Sequence, residues 1–270
     1  MSGEVLVLGG TGKVGSRLST ALRARRAQPR TASRHGGDVR FDWSDSSTWS
    51  AALTGAESVF IVGPGSGSDW SEKLAELLEL AERAGAARAV LLSARAVEFH
   101  PEGVVAATER TLRDSALPWT VLRPSHFAQN FTEAMFTPIN GTVTAPVGAG
   151  AEPFVDVLDI AEVAAEVLRH GGHEGATIEL SGPEAITFPT AVKALSEATG
   201  VPLRFVDQDR EDHVGALRDA GTPDRYIAWR IAMLDAIRTG ADAHLSDGVE
   251  QVLGRPSTSF RQWAAREASR

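Results

Sequence analysis

Short apolar runs and amphipathic stretches alternate along the first half of the chain. The apolar runs predict six strands, at residues 4–8, 29–33, 39–41, 58–62, 89–92 and 120–122. Between them, apolar residues recur every three or four positions and predict helices, at residues 14–22, 47–53, 70–84 and 104–115. Strands that alternate with helices of this length are joined by right-handed crossovers. The pattern therefore predicts a parallel sheet covered by helices on both faces.

The rhythm changes after Pro124. We predict a helix at 127–136, a strand or loop at 141–146, a strand at 177–180, and helices at 188–199 and 226–237. Asp159 is the expected N-cap of a further helix, because Glu162 follows it three residues later. The predicted fold class is α/β, one doubly wound parallel sheet over residues 1–270. Residues 125–270 would form a smaller, mostly helical cap, interleaved with the sheet at the carboxyl edge of its strands.

Composition and charge are those of an ordinary globular protein. Of the 270 residues, 43% are hydrophobic and 23% are charged, and the formal net charge is -8. Because the charge is acidic and no long basic stripe occurs, neither nucleic acid nor an anionic membrane is an expected partner. No apolar run approaches the ~18 residues of a membrane span, and no signal peptide is expected. The chain has no cysteine, which excludes disulfides and a cysteine nucleophile and fits a cytoplasmic location.

Three glycines follow the first predicted strand, at a spacing typical of dinucleotide-binding turns. The motif places Gly9, Gly12 and Gly15 between that strand and the helix after it. Glycines permit the tight turn and let the backbone approach a pyrophosphate, while the start of the helix supplies unpaired amides. Residues 1–124 are therefore the predicted cofactor-binding core. The contacts expected in this loop are Gly9, Thr11, Gly12, Lys13, Val14 and Gly15.

The end of the second strand indicates NADP(H) rather than NAD(H). NAD sites usually carry an acid about 20 residues after the glycines, but this chain has Ser33 and Arg34, and the next acid is Asp38. Arg34 could pair with a 2′-phosphate and Ser33 could donate to it. Alternatively, Arg34 is a surface residue of an arginine-rich chain. Farther along the cofactor, Asp42 is expected beside the adenine, and Val62, Gly63 and Pro64 under the ribose and pyrophosphate.

Several segments together resemble one family. They are VLGGTGKVG (7–15), VLLS (90–93), WTVLRP (119–124) with Phe127 and QNF (129–131), FVDVLDIA (154–161), LSGPE (180–184) and LGRP (253–256). In these segments the chain resembles the NmrA-like atypical short-chain dehydrogenase/reductases. That family includes NADPH-dependent quinone, triphenylmethane-dye and iminium reductases, and also NmrA, a redox-sensing regulator. The resemblance implies a Rossmann fold and NADP(H) binding over nearly the whole chain.

The chain departs from the wider superfamily at the usual acid catalyst. Ordinary short-chain dehydrogenases use a Tyr-x-x-x-Lys pair on the helix after strand five, where this chain has Thr108, Glu109 and Arg110. Its single tyrosine, Tyr226, belongs to the predicted cap. Hydride transfer to an iminium or a quinone needs less acid catalysis than reduction of a ketone. We therefore predict an NADPH-dependent reductase of a small conjugated or aromatic metabolite.

Candidate residues for the chemistry follow the fifth and sixth strands. Ser93 and His100 follow strand five; Ser93 could orient an acceptor oxygen or the carboxamide of the cofactor, and His100 could reach the same cavity. His126 follows strand six, where it could donate a proton near neutral pH. The expected substrate contacts are Phe127, Asn130 and Phe131. Alternatively, Ser93 satisfies backbone groups, His126 points away and the phenylalanines pack the core. No metal site is expected, since no third ligand accompanies His170 and His173.

Two other functions remain open alongside the reductase. One is a redox sensor that binds NADP(H) without turnover, which the missing Tyr-Lys pair favours. The other is an NAD(P)-dependent isomerase, dehydratase or epimerase. In each case the expected partner is a small molecule or, for the sensor, another protein. The chain is expected to be a monomer or a homodimer.

Overall fold

The computed structural model describes residues 3–65 and 67–269, and within them it contains eleven strands. They are β1 (Glu4–Leu8), β2 (Gln28–Ser33), β3 (Val39–Arg40), β4 (Ala56–Ile61), β5 (Arg88–Leu92), β6 (Trp119–Pro124), β7 (Thr142–Ala145), β8 (Ala151–Glu152), β9 (Ala176–Leu180), β10 (Ile186–Thr187) and β11 (Arg204–Asp207). The six strands predicted for the first half are all present, with ends that agree to within two residues.

The described residues contain eleven α-helices, and the first four follow the amphipathic stretches predicted for the first half of the chain. They are α1 (Lys13–Ala24), α2 (Trp49–Leu53), α3 (Ser71–Arg83), α4 (Val104–Arg113), α5 (Asn130–Glu133), α6 (Val157–His170), α7 (Phe188–Thr199), α8 (Arg210–Asp219), α9 (Asp224–Thr239), α10 (Gly248–Leu253) and α11 (Phe260–Ala268). Within the part of the chain that is described, none of them combines the length and the apolar composition needed to cross a membrane.

Seven of the described strands form one sheet, in the order β3-β2-β1-β4-β5-β6-β9, and every pairing in it is parallel. This order, with helices on both faces, is the predicted doubly wound Rossmann arrangement. The strand β9 comes from the second half of the chain and completes the sheet beside β6. The carboxyl ends of β1, β4, β5 and β6 therefore meet along one edge, where ligands of such sheets bind.

Each face of the sheet is covered by its own apolar core. On one face, α1 and α6 bury residues such as Leu18 and Ile160 against Val7 and Phe60. On the other face, α2, α3 and α4 are packed against the sheet through a second buried cluster. Because both faces are covered, the central strands are apolar along almost their whole length, which explains their near-continuous hydrophobic runs.

A third core lies in the cap, beyond the carboxyl edge of the sheet. It is built on interlocking aromatic rings, with Phe131 and Phe154 at 5.1 Å and Phe136 and Phe188 at 4.8 Å between centroids. Two small strand pairs frame it, one of β8 with β10 and one of β7 with β11. Such edge-to-face ring pairs stabilise the cap beyond the burial of their area.

Two predictions for the second half are wrong in detail. The helix expected at 127–136 is limited to α5, because the backbone of residues 126–128 pairs instead with Val155. The helix α6 begins after Asp156, whose carboxylate accepts from the Leu158 amide, so Asp159 is not its N-cap. Asp159 lies within the helix and accepts from the amide of Thr258 at 2.6 Å.

Candidate active site

The glycine turn after β1 has the geometry that its sequence predicts. Gly9 has a φ of +66°, a value that favours glycine, and its carbonyl accepts from the Gly12 amide at 2.8 Å. A Cβ at position 15 would come within 2.3 Å of the Gly9 carbonyl oxygen, so a larger residue cannot be accommodated without a shift. The turn therefore brings the start of α1 directly against the end of β1.

A cleft of about 630 Å³ opens above this turn. Nine of the residues predicted to contact a dinucleotide line it: Gly9, Thr11, Gly12, Ser33, Arg34, Asp42, Val62, Gly63 and Pro64. The N-cap of α1 is Gly12, which offers no side chain to its first amides. These amides remain available to an anion, and the helix dipole favours one there. The residues present thus fit a bound pyrophosphate.

The remaining residues predicted for this loop lie beside the cleft rather than in its lining. The Val14 side chain is packed in the core under the sheet, so only its backbone could reach a ligand. Gly15 is pressed against Gly9, as described above. Lys13 is half-buried near Glu133, and burial lowers its pKa. Any contact of Val14 with a dinucleotide would therefore be made by its backbone, and Gly15 lets helix and strand approach each other.

The cleft lining carries charges of both signs, positive at Arg34 and Lys73 and negative at Asp42 and Asp69. Arg34 and Lys73 both line it with exposed side chains. Asp38 is turned back onto Thr31, whose amide and hydroxyl donate to its carboxylate at 2.8 and 2.7 Å, and these bonds lower the pKa of Asp38. The Ser33 hydroxyl donates to the carbonyl of His35 at 2.7 Å. Lys73 was not anticipated from the sequence, because it lies on the solvent face of α3.

Two tryptophans that sequence reasoning missed shape the middle of the cleft. Trp43 donates through its indole N–H to the Val62 carbonyl at 3.0 Å, and its ring lies 5.0 Å from that of Trp70. A Cβ at position 63 would lie 2.2 Å from the Trp70 ring, so glycine is needed where the chain crosses that indole. The tryptophans thus fix the course of the segment predicted to pass under the ribose and pyrophosphate.

A second cavity, of about 350 Å³, adjoins the cleft and shares Val62, Gly63 and Trp70 with it. Its lining includes four residues predicted for the chemistry: Ser93, His126, Phe127 and Asn130. The rest of the wall is largely apolar. Part of it comes from α9, which contributes Tyr226, Trp229 and Met233, and Met135 adds to it from the segment after α5. Tyr226 lies in the cap, far along the chain from the position usual in short-chain dehydrogenases, yet folding brings it to the cavity.

Ser93 hydrogen-bonds to a buried ionic group instead of a backbone carbonyl. Its hydroxyl donates to Oε1 of Glu109 at 2.5 Å. Glu109 is fully buried and also pairs with Arg123 at 2.6 Å and with Arg113 at 2.9 Å. With its hydrogen directed to Glu109, the Ser93 oxygen is left as an acceptor toward the cavity. It can bind an N–H group of a ligand, which fits a carboxamide better than a substrate carbonyl.

His126 is buried at the cavity wall, with only 7% of its surface exposed. Its Nδ1 lies 3.2 Å from Oε1 of Glu152, and its backbone amide donates to the same oxygen at 2.9 Å. A carboxylate accepts hydrogen bonds, so this contact favours the tautomer with the proton on Nδ1. The other ring nitrogen, Nε2, is buried without a hydrogen-bond partner among the described residues.

Arg95 and Asp242 extend this polar wall, and neither was anticipated from the sequence. Both line the cavity and both are buried, with 1% and 2% of their surfaces exposed. Nη1 of Arg95 lies 3.3 Å from Oδ1 of Asp242 and donates to the His244 carbonyl at 2.9 Å. Burial, together with the charge of Glu152, raises the pKa of Asp242 to about 9.

Two predicted site residues lie outside the cavity. The His100 ring covers the backbone of Gly103 at the start of α4, where a Cβ would come within 2.2 Å of it. Phe131 is fully buried in the aromatic core of the cap, among Phe136, Phe154 and Phe188. Both predictions are corrected. The predicted roles of Ser93, His126, Phe127 and Asn130 toward a ligand remain predictions.

Comparisons with known proteins agree with this geometry. A family model described as NAD(P)H-binding matches residues 9–171. An uncharacterized oxidoreductase, YesF of Bacillus subtilis, is 31% identical over 98% of this chain and 95% of its own. A (4-alkanoyl-5-oxo-2,5-dihydrofuran-3-yl)methyl phosphate reductase of Streptomyces griseus is 34% identical over 98% of both chains. The solved structure of a Citrobacter triphenylmethane reductase with NADP(H) has a TM-score of 0.78, 24% identity, and coverage of 98% of this chain and 99% of that one.

Proposed function

Because the chain belongs to the family of NAD(P)H-binding oxidoreductases of the NmrA-like atypical short-chain dehydrogenase/reductase type, we propose that it reduces a small conjugated or aromatic acceptor with NADPH. The cofactor, when bound, supplies a hydride. The protein binds and orients both reactants and excludes water from the space between them. The observation that carries the proposal is the apolar cavity, which opens on the dinucleotide cleft at Val62, Gly63 and Trp70.

The cleft supports NADPH over NADH. Arg34, which directly follows β2, lines the cleft where the adenosine half is expected, and Lys73 adds a second positive charge to a lining that also holds Asp42 and Asp69. Asp38, the first acid after β2, is not among the residues that line the cleft, and its Oδ2 accepts from the amide and hydroxyl of Thr31. A guanidinium group beside the 2′ position would bind a phosphate through charge-assisted hydrogen bonds.

The cavity supports a flat, unsaturated acceptor. Phe127 and Trp229 provide aromatic surface, while Asn130, Ser93 and His126 contribute the polar groups of the wall. Sites that bind small molecules combine an apolar lining with a few polar atoms that fix the orientation of the ligand. The Streptomyces griseus relative, named for a substrate with a 5-oxo-2,5-dihydrofuran ring, supports a conjugated acceptor. Quinones and iminium ions are the acceptor classes that we propose.

The proposal is tested by cofactor binding followed by turnover. Calorimetric titration is expected to give tighter binding for NADPH and NADP+ than for NADH and NAD+. Loss of NADPH absorbance is then measured with a panel of quinones, iminium ions, triphenylmethane dyes and simple ketones. Efficient reduction of ketones, with quinones and cations inert, would contradict the acceptor class. Tight binding without turnover of any acceptor would indicate a redox sensor and overturn the reductase.

A further inference from the structure

Four charged or ionisable side chains meet behind one wall of the substrate cavity. His126 follows β6, Glu152 ends β8, Arg95 follows β5 and Asp242 follows α9. Each is at least nine-tenths buried. Polar atoms of His126, Glu152 and Asp242 all lie within 4.8 Å of one another, and Arg95 contacts Asp242 at 3.3 Å. Four separate segments thus bring their polar ends to one point in an otherwise apolar wall. We call these four residues the buried quartet.

Counting charges shows how many protons the quartet holds. Arg95 is always positive, Glu152 and Asp242 are each negative when ionised, and His126 is neutral or positive. An uncompensated charge buried this deeply is costly, so the neutral arrangements are strongly favoured. With both carboxylates ionised and His126 neutral, the four side chains have a net charge of −1. One further proton, bound to one of them, makes the quartet neutral. That proton resides either on a carboxyl of the pair Glu152 and Asp242 or on His126 as the imidazolium.

The contacts show where this proton rests and where it can go. Glu152 accepts from the His126 amide at 2.9 Å and lies 3.2 Å from Nδ1, contacts that favour its ionised form. The proton therefore rests on Asp242, and burial together with the charge of Glu152 raises the pKa of that carboxyl to about 9. Glu152 lies between the two alternative sites, in contact with Nδ1 of His126 and close to the Asp242 carboxyl. Nε2, on the opposite side of the imidazole, has no partner among the described residues, and the ring borders the cavity.

The other ionisable groups near the quartet do not change the number of protons that it needs to be neutral. On the outer side of Arg95, Glu98 interacts with that guanidinium and is itself held between Glu179 and His244. From α9, the Tyr226 side chain lines the cavity. On the Ser93 side, the carboxylate of Glu109 is neutralised by Arg113 and Arg123.

We propose that the buried quartet stores one proton and delivers it through Nε2 of His126 to the acceptor as it is reduced. This inference rests on the proposed reductase function. In the donating state the stored proton has passed from Asp242 to Glu152 and is donated to Nδ1, so the imidazole carries its own proton on Nε2. Nε2 gives that proton to an oxygen or nitrogen of the acceptor while Nδ1 takes the proton of Glu152, and water then returns one proton to the quartet. A quinone gains one hydride and one proton to become a hydroquinone, while NADPH is oxidised to NADP+. A cationic dye or iminium ion gains a hydride alone and needs no proton.

This difference between acceptors gives the decisive test. In Asp242→Asn the amide oxygen can still accept from Arg95, but the position cannot release a proton. We expect kcat for a neutral quinone to fall by about 10²-fold, the usual effect of losing a general acid. Reduction of a triphenylmethane dye cation is expected to be unchanged, and so is NADPH affinity. The matched control is Asp235→Asn, at a solvent-accessible position on α9, the helix that precedes Asp242. An equal loss with both acceptors would show a merely structural role and overturn the proposal.

Infrared spectroscopy tests the stored proton without turnover. The wild type at neutral pH should show the carbonyl band of a protonated, buried carboxylic acid. That band should disappear as the pH rises through about 9 and should be missing in Asp242→Asn. Over the same pH range, quinone reduction should decline while dye reduction does not. A wild-type spectrum without this band would show that no buried carboxyl holds a proton, and would overturn the proposal whatever the kinetics show.

A second variant keeps the test open if Asp242→Asn does not fold. Glu152→Gln removes the negative charge that helps to hold the proton on Asp242, so the acid band should be lost at neutral pH and quinone reduction should fall selectively. Retention of both would overturn the proposal. Failure of the parent function is distinguishable, because wild-type protein would then reduce neither acceptor while the infrared band, if present, would still establish the stored proton.

Discussion

Asp242 loses nearly all its contact with water on folding, and its titration links pH to stability. Its pKa rises from an ordinary 3.8 to about 9, through burial and the neighbouring Glu152. Between these pH values the folded chain holds a proton that the unfolded chain lacks, so this group lowers the free energy of unfolding as pH rises. The change is up to about 1.4 kcal/mol per pH unit, and it is complete only above the folded pKa.

Asp242→Asn removes this linkage. Urea denaturation at several pH values between about 4 and 9 should show the variant gaining stability relative to the wild type as pH rises. Asp235→Asn, whose carboxylate is exposed and paired with Arg210, should follow the wild type. A difference between Asp242→Asn and wild type that stays constant with pH would contradict the raised pKa.

Arg34 is the residue on which the NADPH preference depends. Its guanidinium is exposed and lines the end of the cleft, so Arg34→Ala should leave the backbone intact. Loss of charge-assisted hydrogen bonds to a phosphate should weaken NADPH by roughly 10- to 100-fold, with little change for NADH. The control is calorimetry on Arg40→Ala. Arg40 is an exposed arginine on β3 and pairs with Asp45. Equal weakening of both cofactors would overturn the assignment.

How far single residues could be predicted depends on where their partners lie in the chain. Ser93 and His126 were identifiable because they directly follow predicted strands of a parallel sheet. Arg95, Glu152 and Asp242 were not, because their role arises from contacts among four segments without a shared motif. The one signal available was local: Glu152 is a lone acid within the short, largely apolar stretch 143–155. A buried carboxylate needs a partner, but the sequence does not reveal which one.

At the scale of elements, the glycine turn and α1 form a unit that tolerates no side chain at position 15. Gly15→Ala would place a Cβ 2.3 Å from the Gly9 carbonyl oxygen, so the turn must open. We expect a lower melting temperature and much weaker NADPH binding. Gly215→Ala, on the helix α8, is the matched control, because a Cβ at that position would have no atom within 4 Å. It should raise stability by up to about 1 kcal/mol through helix propensity. Similar behaviour of the two variants would contradict the packing argument.

The pairing of α8 with α9 depends on a neutral histidine. His213 is buried and accepts from Nε of Arg230 at 3.1 Å, and burial and that charge lower its pKa from 6.5 to about 4. Between these values the unfolded chain binds a proton that the folded chain does not. Stability is therefore lost as pH falls from about 6.5 through about 4, by up to about 1.4 kcal/mol per unit.

His213→Gln should remove this sensitivity to acid, since an amide can accept from Arg230 without titrating. Urea unfolding of the variant and the wild type should diverge below pH 6.5, the wild type losing more. Hydrogen exchange should place the wild-type loss in α8 and α9. Equal acid sensitivity of the two proteins would show that folding leaves the pKa of His213 unchanged.

The segment after β6 shows why element boundaries in the cap were harder to predict than those in the sheet. The spacing of Phe127, Phe131 and Phe136 indicates a helix. The amide of Ala128 instead donates to Val155, and the amide of Val155 to His126. These bonds hold Phe127 in a bridge to Val155 and place a turn at residues 128–129, so that only α5 is helical. Periodicity reports which residues face a core, but here a tertiary partner decides the backbone conformation.

Across the whole molecule, the two halves of the chain contribute to the same sheet and to the same apolar core. β9 pairs with β6 along five residue pairs, and α6 packs on α1 in one apolar core. Residues 125–270 therefore supply both a strand of the sheet and one covering layer, besides most of the cavity wall. We propose a single cooperative domain, in which the cofactor cleft and the acceptor cavity are held in fixed relation by a shared core.

This proposal predicts one unfolding transition for the whole chain. Tryptophan fluorescence reports on the cleft through Trp43 and Trp70 and on the cap through Trp229 and Trp263, while circular dichroism reports on all helices. If the halves share one core, urea curves from the two methods should coincide. A fragment of residues 1–124 should remain largely unfolded, because removing α6 and β9 exposes the apolar face that α1, β1 and β4 bury against them. Two separated transitions, or a cooperatively folding fragment, would show that the cofactor half is a domain in its own right, with the cap as an attachment.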